Sequence, residues 1–140
     1  MKLIPRNIFL CDGIGALLTA TLLAAVIAPF ETLFGMPPNV VYSLSAIAVV
    51  FAVYSLACHL TRPSNWPTLL RIIASANLLY CILTLILLFV YRGEITAFGF
   101  AYFIGEILVV STLSIYELHT ARYRSSDNKT APRFGDKSAR

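Results

Sequence analysis

Charge is what this sequence has least of. Lysine and arginine number 11 and aspartate and glutamate 7, so only 13% of the 140 residues are charged, against roughly 25% in a soluble domain. A globule of this size leaves roughly a third of its unfolded surface in water, and too little polar surface is available here to cover it. A water-soluble fold is therefore excluded.

The residue types that chemistry relies on are scarce as well. Three cysteines, Cys11, Cys58 and Cys81, contain no CxxC pair, which argues against a disulfide framework and against thiol–disulfide exchange. The only two histidines, His59 and His119, lack metal-ligand spacing, so neither a zinc site nor haem is expected. HExxH, GxSxG and a phosphate-cradling glycine loop are all missing. The expectation is a protein without enzymatic activity, cofactor or metal.

What the chain does have is apolar length. Hydrophobic residues make up 58% of it, where soluble domains hold about 45–50%, and lipid is the solvent that accepts them. Crossing a hydrocarbon layer of about 30 Å takes about 20 helical residues. Four segments meet that requirement, at about 8–30, 39–60, 67–91 and 95–118. Gly35 and Pro37-Pro38 mark a turn before the second, and Ser64-Asn65-Trp66-Pro67 reads as a start signal for the third. Lys2 and Arg6 ahead of an apolar run also fit a cleaved signal peptide. Against that, Asp12 interrupts the run and Pro29 follows its only small-residue site, so the segment is read as a spanning helix.

Basic residues set the orientation. Lys2, Arg6, Arg62, Arg71 and the six of the C-terminal stretch lie on one side, and only Arg92 lies on the other. Both termini are therefore expected in the cytoplasm. Residues 1–119 form the expected bundle and residues 120–140 a basic, disordered cytoplasmic tail that carries the whole net charge of +4. Arg122, Arg124, Lys129 and Arg133 are its candidate contacts to anionic lipid headgroups, each worth on the order of 1 kcal/mol near the surface. No motif for nucleic acid accompanies them.

Lipid gives helices no hydrophobic reason to associate, so packing depends on small residues and polar contacts. Each segment offers such a stripe: Asp12, Ala16, Ala20, Ala24 and Ala28 in the first; Ser45, Ala48, Ala52 and Ser55 in the second; Ala74, Asn77, Cys81 and Thr84 in the third; Ala97, Ala101 and Gly105 in the fourth. With short connections, the pattern predicts an all-α membrane protein, an antiparallel four-transmembrane-helix bundle.

Glu106 stands out, about 16 Å into its span at 1.5 Å per residue, close to the midplane, where an ionised carboxyl is costly. Asn77 is expected at the same depth on the neighbouring helix, with Tyr80 and Tyr102 nearby, so the four residues form a candidate proton or cation site, or an interhelical polar contact. Asp12 and Arg71 lie at matching depth nearer the cytoplasm and form a candidate ion pair.

The layout, with segments such as Asp12-Gly13-Ile14-Gly15-Ala16-Leu17, Ala76-Asn77-Leu78-Leu79-Tyr80-Cys81 and Tyr102-Phe103-Ile104-Gly105-Glu106, resembles small bacterial four-helix integral membrane proteins that have no assigned activity. That resemblance implies a multi-pass protein of the inner membrane. The small multidrug exporters are similar in size, but their membrane glutamate is in the first helix, and no functional residue carries over from them. Three functions follow as expectations. The first is proton-coupled transport through a homo-oligomer with Glu106 as the midplane carboxyl. The others are an accessory subunit of a larger membrane complex and a lipid-modifying enzyme at the cytoplasmic rim.

Overall fold

A computed structural model describes residues 5–130 of the chain and the side chains of residues 7–127. Helices hold 87% of the described residues, and no strand occurs among them. The elements are α1 (Pro5–Leu22), which widens into a π-helical turn over Leu23–Ile27, α2 (Glu31–Phe34), α3 (Pro38–Thr61), α4 (Trp66–Val90) and α5 (Ala97–Thr130). Four of them, α1 with its π-helical turn, α3, α4 and α5, are long and apolar enough to cross a membrane.

Local sequence explains the boundaries. Proline in the first turn opens both α3 and α4, where its fixed φ suits a helix and its missing N–H costs nothing. Gly35 ends α2 with φ +80°, a left-handed conformation that favours glycine. The short α2 was not foreseen in the sequence. Nor was the reach of α5, which continues to Thr130 through residues expected to be disordered from 120 onward. No glycine or proline stands between His119 and Ala131 to stop it. The rest of the expected tail, including Arg133, lies outside the described residues.

Burial runs inside out relative to a soluble protein. Small and polar side chains, among them Ala20, Ser45, Ala48, Ala52, Ser55, Ala74, Asn77 and Thr84, share the interior with large apolar ones such as Phe9, Leu23, Leu44 and Phe103, while Val50, Val53, Leu79, Phe89, Leu108 and Val109 face outward. In water such a surface would aggregate; in lipid it is solvated. The small-residue stripes expected for α1, α3 and α4 do face inward. That of α5 does not: Ala97 and Ala101 are exposed, and the buried positions are Gly99, Phe103, Ser114, Glu117 and Ala121. Packing against the α2 turn explains the rotation, since a side chain at Gly99 would run into the carbonyl of Phe34.

α1 lies along α3, and α4 lies along α5, with lighter contact between the two pairs. Ser45 Oγ donates to the Ala20 carbonyl at 2.8 Å, and Ser55 bonds Asp12. As α1 advances from 12 to 20, its partner recedes from 55 to 45, so α1 and α3 run in opposite directions.

Candidate functional site

Asp12 is the hub of the buried polar groups. It sits in the first turns of α1, 3% exposed, and faces the far end of α3 and the first half of α4. Asn77 Nδ2 donates to its Oδ1 at 2.8 Å, and Ser55 Oγ donates to its Oδ2. Asn77 is 5% exposed and Ser55 is fully buried. Three helices thus meet at one carboxyl.

Glu117 completes the group from α5. Its side chain is fully buried and its carboxyl lies against that of Asp12. Neither Glu117 oxygen has a partner in well-formed hydrogen-bond geometry; proximity to Asp12 is what the structure records. Two buried carboxyls therefore adjoin, and none of the groups identified around Asp12 (Ser55, Asn77 and Glu117) is a cation.

A second carboxyl site lies one helical turn further along α4. Tyr80 Oη donates to Glu106 Oε1 at 2.9 Å, while Glu106 Oε2 is buried without a partner. Phe51 packs edge-on against Tyr80, with ring centroids 6.2 Å apart, and Tyr102 stands beside Glu106, its ring edge-on to Phe103 at 5.3 Å. These rings pack around the Tyr80–Glu106 bond.

The expected grouping is therefore redrawn. Glu106 and Tyr80 are joined as predicted and Tyr102 is adjacent, but Asn77 bonds Asp12 on α1 instead of Glu106. Asn77 lies beside Asp12, and Tyr80, one turn further along α4, is the residue that meets Glu106. The Asp12–Arg71 ion pair does not form: both Asp12 oxygens are engaged by Ser55 and Asn77, and Arg71 points outward, exposed. Of the candidate headgroup contacts, Arg122 and Arg124 are exposed on the last turns of α5. The side chain of Lys129 and all of Arg133 fall outside the described residues. Among the described residues, no three His, Cys, Asp or Glu side chains are arranged to hold a metal ion.

Glu117 was missed as a site residue. The signal was present: from Phe103, steps of three and four lead through Glu106, Val110 and Ser114 to Glu117 and Ala121. That row is the inward face of a helix. Compared with protein-family models, with curated proteins and with solved structures, the chain finds no match. Fold and site define a class by themselves: among the described residues, helices without strands, four of them of membrane-crossing length, with a buried Asp12–Glu117 pair and a partly buried Glu106 between them.

Proposed function

We propose that the protein is a multi-pass membrane protein of the inner membrane that handles protons at its buried carboxyls, in the manner of a small proton-coupled transporter. One observation carries this reading. Asp12 and Glu117 adjoin inside the spanning helices with no cation identified at the pair. Two ionised carboxylates so placed repel each other in a medium that solvates neither, and a shared proton or small cation relieves both costs. Hydrogen bonds between helices account for Ser55, Asn77 and Tyr80; Glu117 faces the Asp12 carboxyl, and two carboxyls bond each other only through a proton held between them.

In this reading the helices form an antiparallel four-helix bundle with both termini in the cytoplasm. The excess of basic residues on that side supports the orientation. α5 spans 34 residues, about 51 Å at 1.5 Å per residue, so its far end outlasts the hydrocarbon layer and presents Arg122 and Arg124 to anionic headgroups. Any substrate larger than a small ion needs a path between protomers, which makes the transporter a homo-oligomer.

Proton flux into liposomes tests the proposal. With an imposed membrane potential and a pH dye inside, the reconstituted protein is expected to acidify the lumen faster than empty liposomes, and Asp12→Asn to slow it. Equal rates for protein and empty liposomes would end the proposal.

A further inference from the structure

A cavity of about 70 Å³ lies between α1, α3, α4 and α5, and Asp12, Thr19, Asn77 and Tyr80 all line it. Gly15 lines it too, and a Cβ there would meet nothing within 4 Å. Gly13 contrasts with it, since a Cβ at that position would press on Leu56 at 2.8 Å. Gly13 serves close packing of α1 on α3; Gly15 leaves a space open. Only slight contact joins α1 to α5 beside it.

The space is too small for a drug-sized ligand, whose pockets run to about 300–1,000 Å³. At about 30 Å³ per water it holds roughly two. A buried water needs 2–4 polar partners, and the lining supplies hydroxyl, amide and carboxyl groups at Thr19, Tyr80, Asn77 and Asp12. These four are the polar members of a mostly apolar lining, and at both ends they lead to unpartnered carboxyl oxygens. Tyr80 leads to Glu106, whose Oε2 is orphaned, and Asp12 leads to Glu117, both of whose oxygens are orphaned.

We infer that this cavity is a water site that joins Asp12–Glu117 to Glu106 in a single proton-transfer line, with Gly15 keeping it open. The inference rests on the proton-handling reading and names its route. A proton leaving the Asp12 carboxyl passes to cavity water, the water gives one of its own to the Tyr80 oxygen, and Tyr80 hands its hydroxyl proton to Glu106 Oε1. Asp12 ends one proton poorer and Glu106 one richer; water and tyrosine are unchanged.

Infrared spectroscopy on the full chain in lipid tests the route without requiring transport. The protonated-carboxyl band of Glu106 is identified by its loss in Glu106→Gln, and its shift is timed after transfer from H₂O to D₂O. Rapid exchange is expected in the wild type. Gly15→Leu, which fills the cavity, and Tyr80→Phe, which removes the relay hydroxyl, should each slow it at least about tenfold, the scale on which a positioned proton-transfer group acts. Wild-type exchange in both variants, as when a lipid chain fills the cavity, would overturn the relay, and so would the absence of any band that Glu106→Gln removes. Should Gly15→Leu not fold, Tyr80→Phe alone decides. Slowed exchange in a protein without flux would sink the transport reading and leave the relay standing; flux with unaltered exchange would do the reverse.

Discussion

The two ends of the helix assembly bury different polar groups beside their apolar cores. At one end, the α2 turn docks on the start of α5 through backbone: Thr96 N donates to the Phe34 carbonyl at 3.2 Å, the Thr96 hydroxyl bonds the Leu33 carbonyl, and Gly35 and Gly99 let the chains approach. Beneath this contact lies an apolar core that includes Met36, Val41, Leu88 and Phe103. The other end has an apolar core of its own, including Ile8, Phe9, Leu70 and Ile73, and buries Asp12, Ser55, Asn77 and Glu117 beside it. The first end holds its α2–α5 contact with backbone groups and glycines, and its partly buried carboxyl, Glu106, is bonded by Tyr80. At the second end two carboxyls adjoin, and this pairing is what calls for a reason besides packing.

Substitutions sharpen this contrast. The largest effect should come from the sealed end: Gly99→Val places a side chain against the Phe34 backbone, and thermal unfolding in detergent, followed by circular dichroism, should show a loss of about 3 kcal/mol, in the upper range for single substitutions. Next comes Asp12→Leu, which leaves the Asn77 amide and the Ser55 hydroxyl without their acceptor; the same assay should show a loss of about 2 kcal/mol. Glu117→Leu should behave in the opposite sense. It removes a buried carboxyl that faces another carboxyl, so stability should rise by about 1 kcal/mol, as when buried ionic groups give way to apolar ones. A marked destabilisation by Glu117→Leu would make the residue structural. The smallest effect belongs to Arg71→Ala, within about 0.5 kcal/mol, since the side chain is exposed and apart from Asp12.

Much of the fold was legible because lipid imposes a simple rule: uncharged length makes a span, and small residues turn inward. That rule located all four spans and the inward stripes of α1, α3 and α4. It failed on α5 because Ala97, Ala101 and Gly105 share a spacing but not the buried face, which is fixed by the docking of Gly99 on Phe34, a contact between segments distant in sequence. The site suffered from the same rotation. Glu106 was conspicuous at mid-span and Tyr80 lay within reach, yet the partner of Asn77 depended on which helices pair. Short connections made consecutive helices neighbours, and α1 with α3, α4 with α5 and, more lightly, α3 with α4 are in contact. The contacts of Asp12 with Asn77 and Glu117 join helices that are not consecutive, which connection length does not predict. The extension of α5 to Thr130 was hidden by polar composition, which disfavours a packed core without stopping a helix.

The central claim, that the carboxyl pair serves protons and not packing, is tested most directly by proton flux through wild type and Glu117→Leu reconstituted side by side in the same lipid. The account predicts a variant that is folded, at least as stable as the wild type, and slower by about tenfold or more, the scale for losing a proton-transfer group. Equal flux in the two would contradict it.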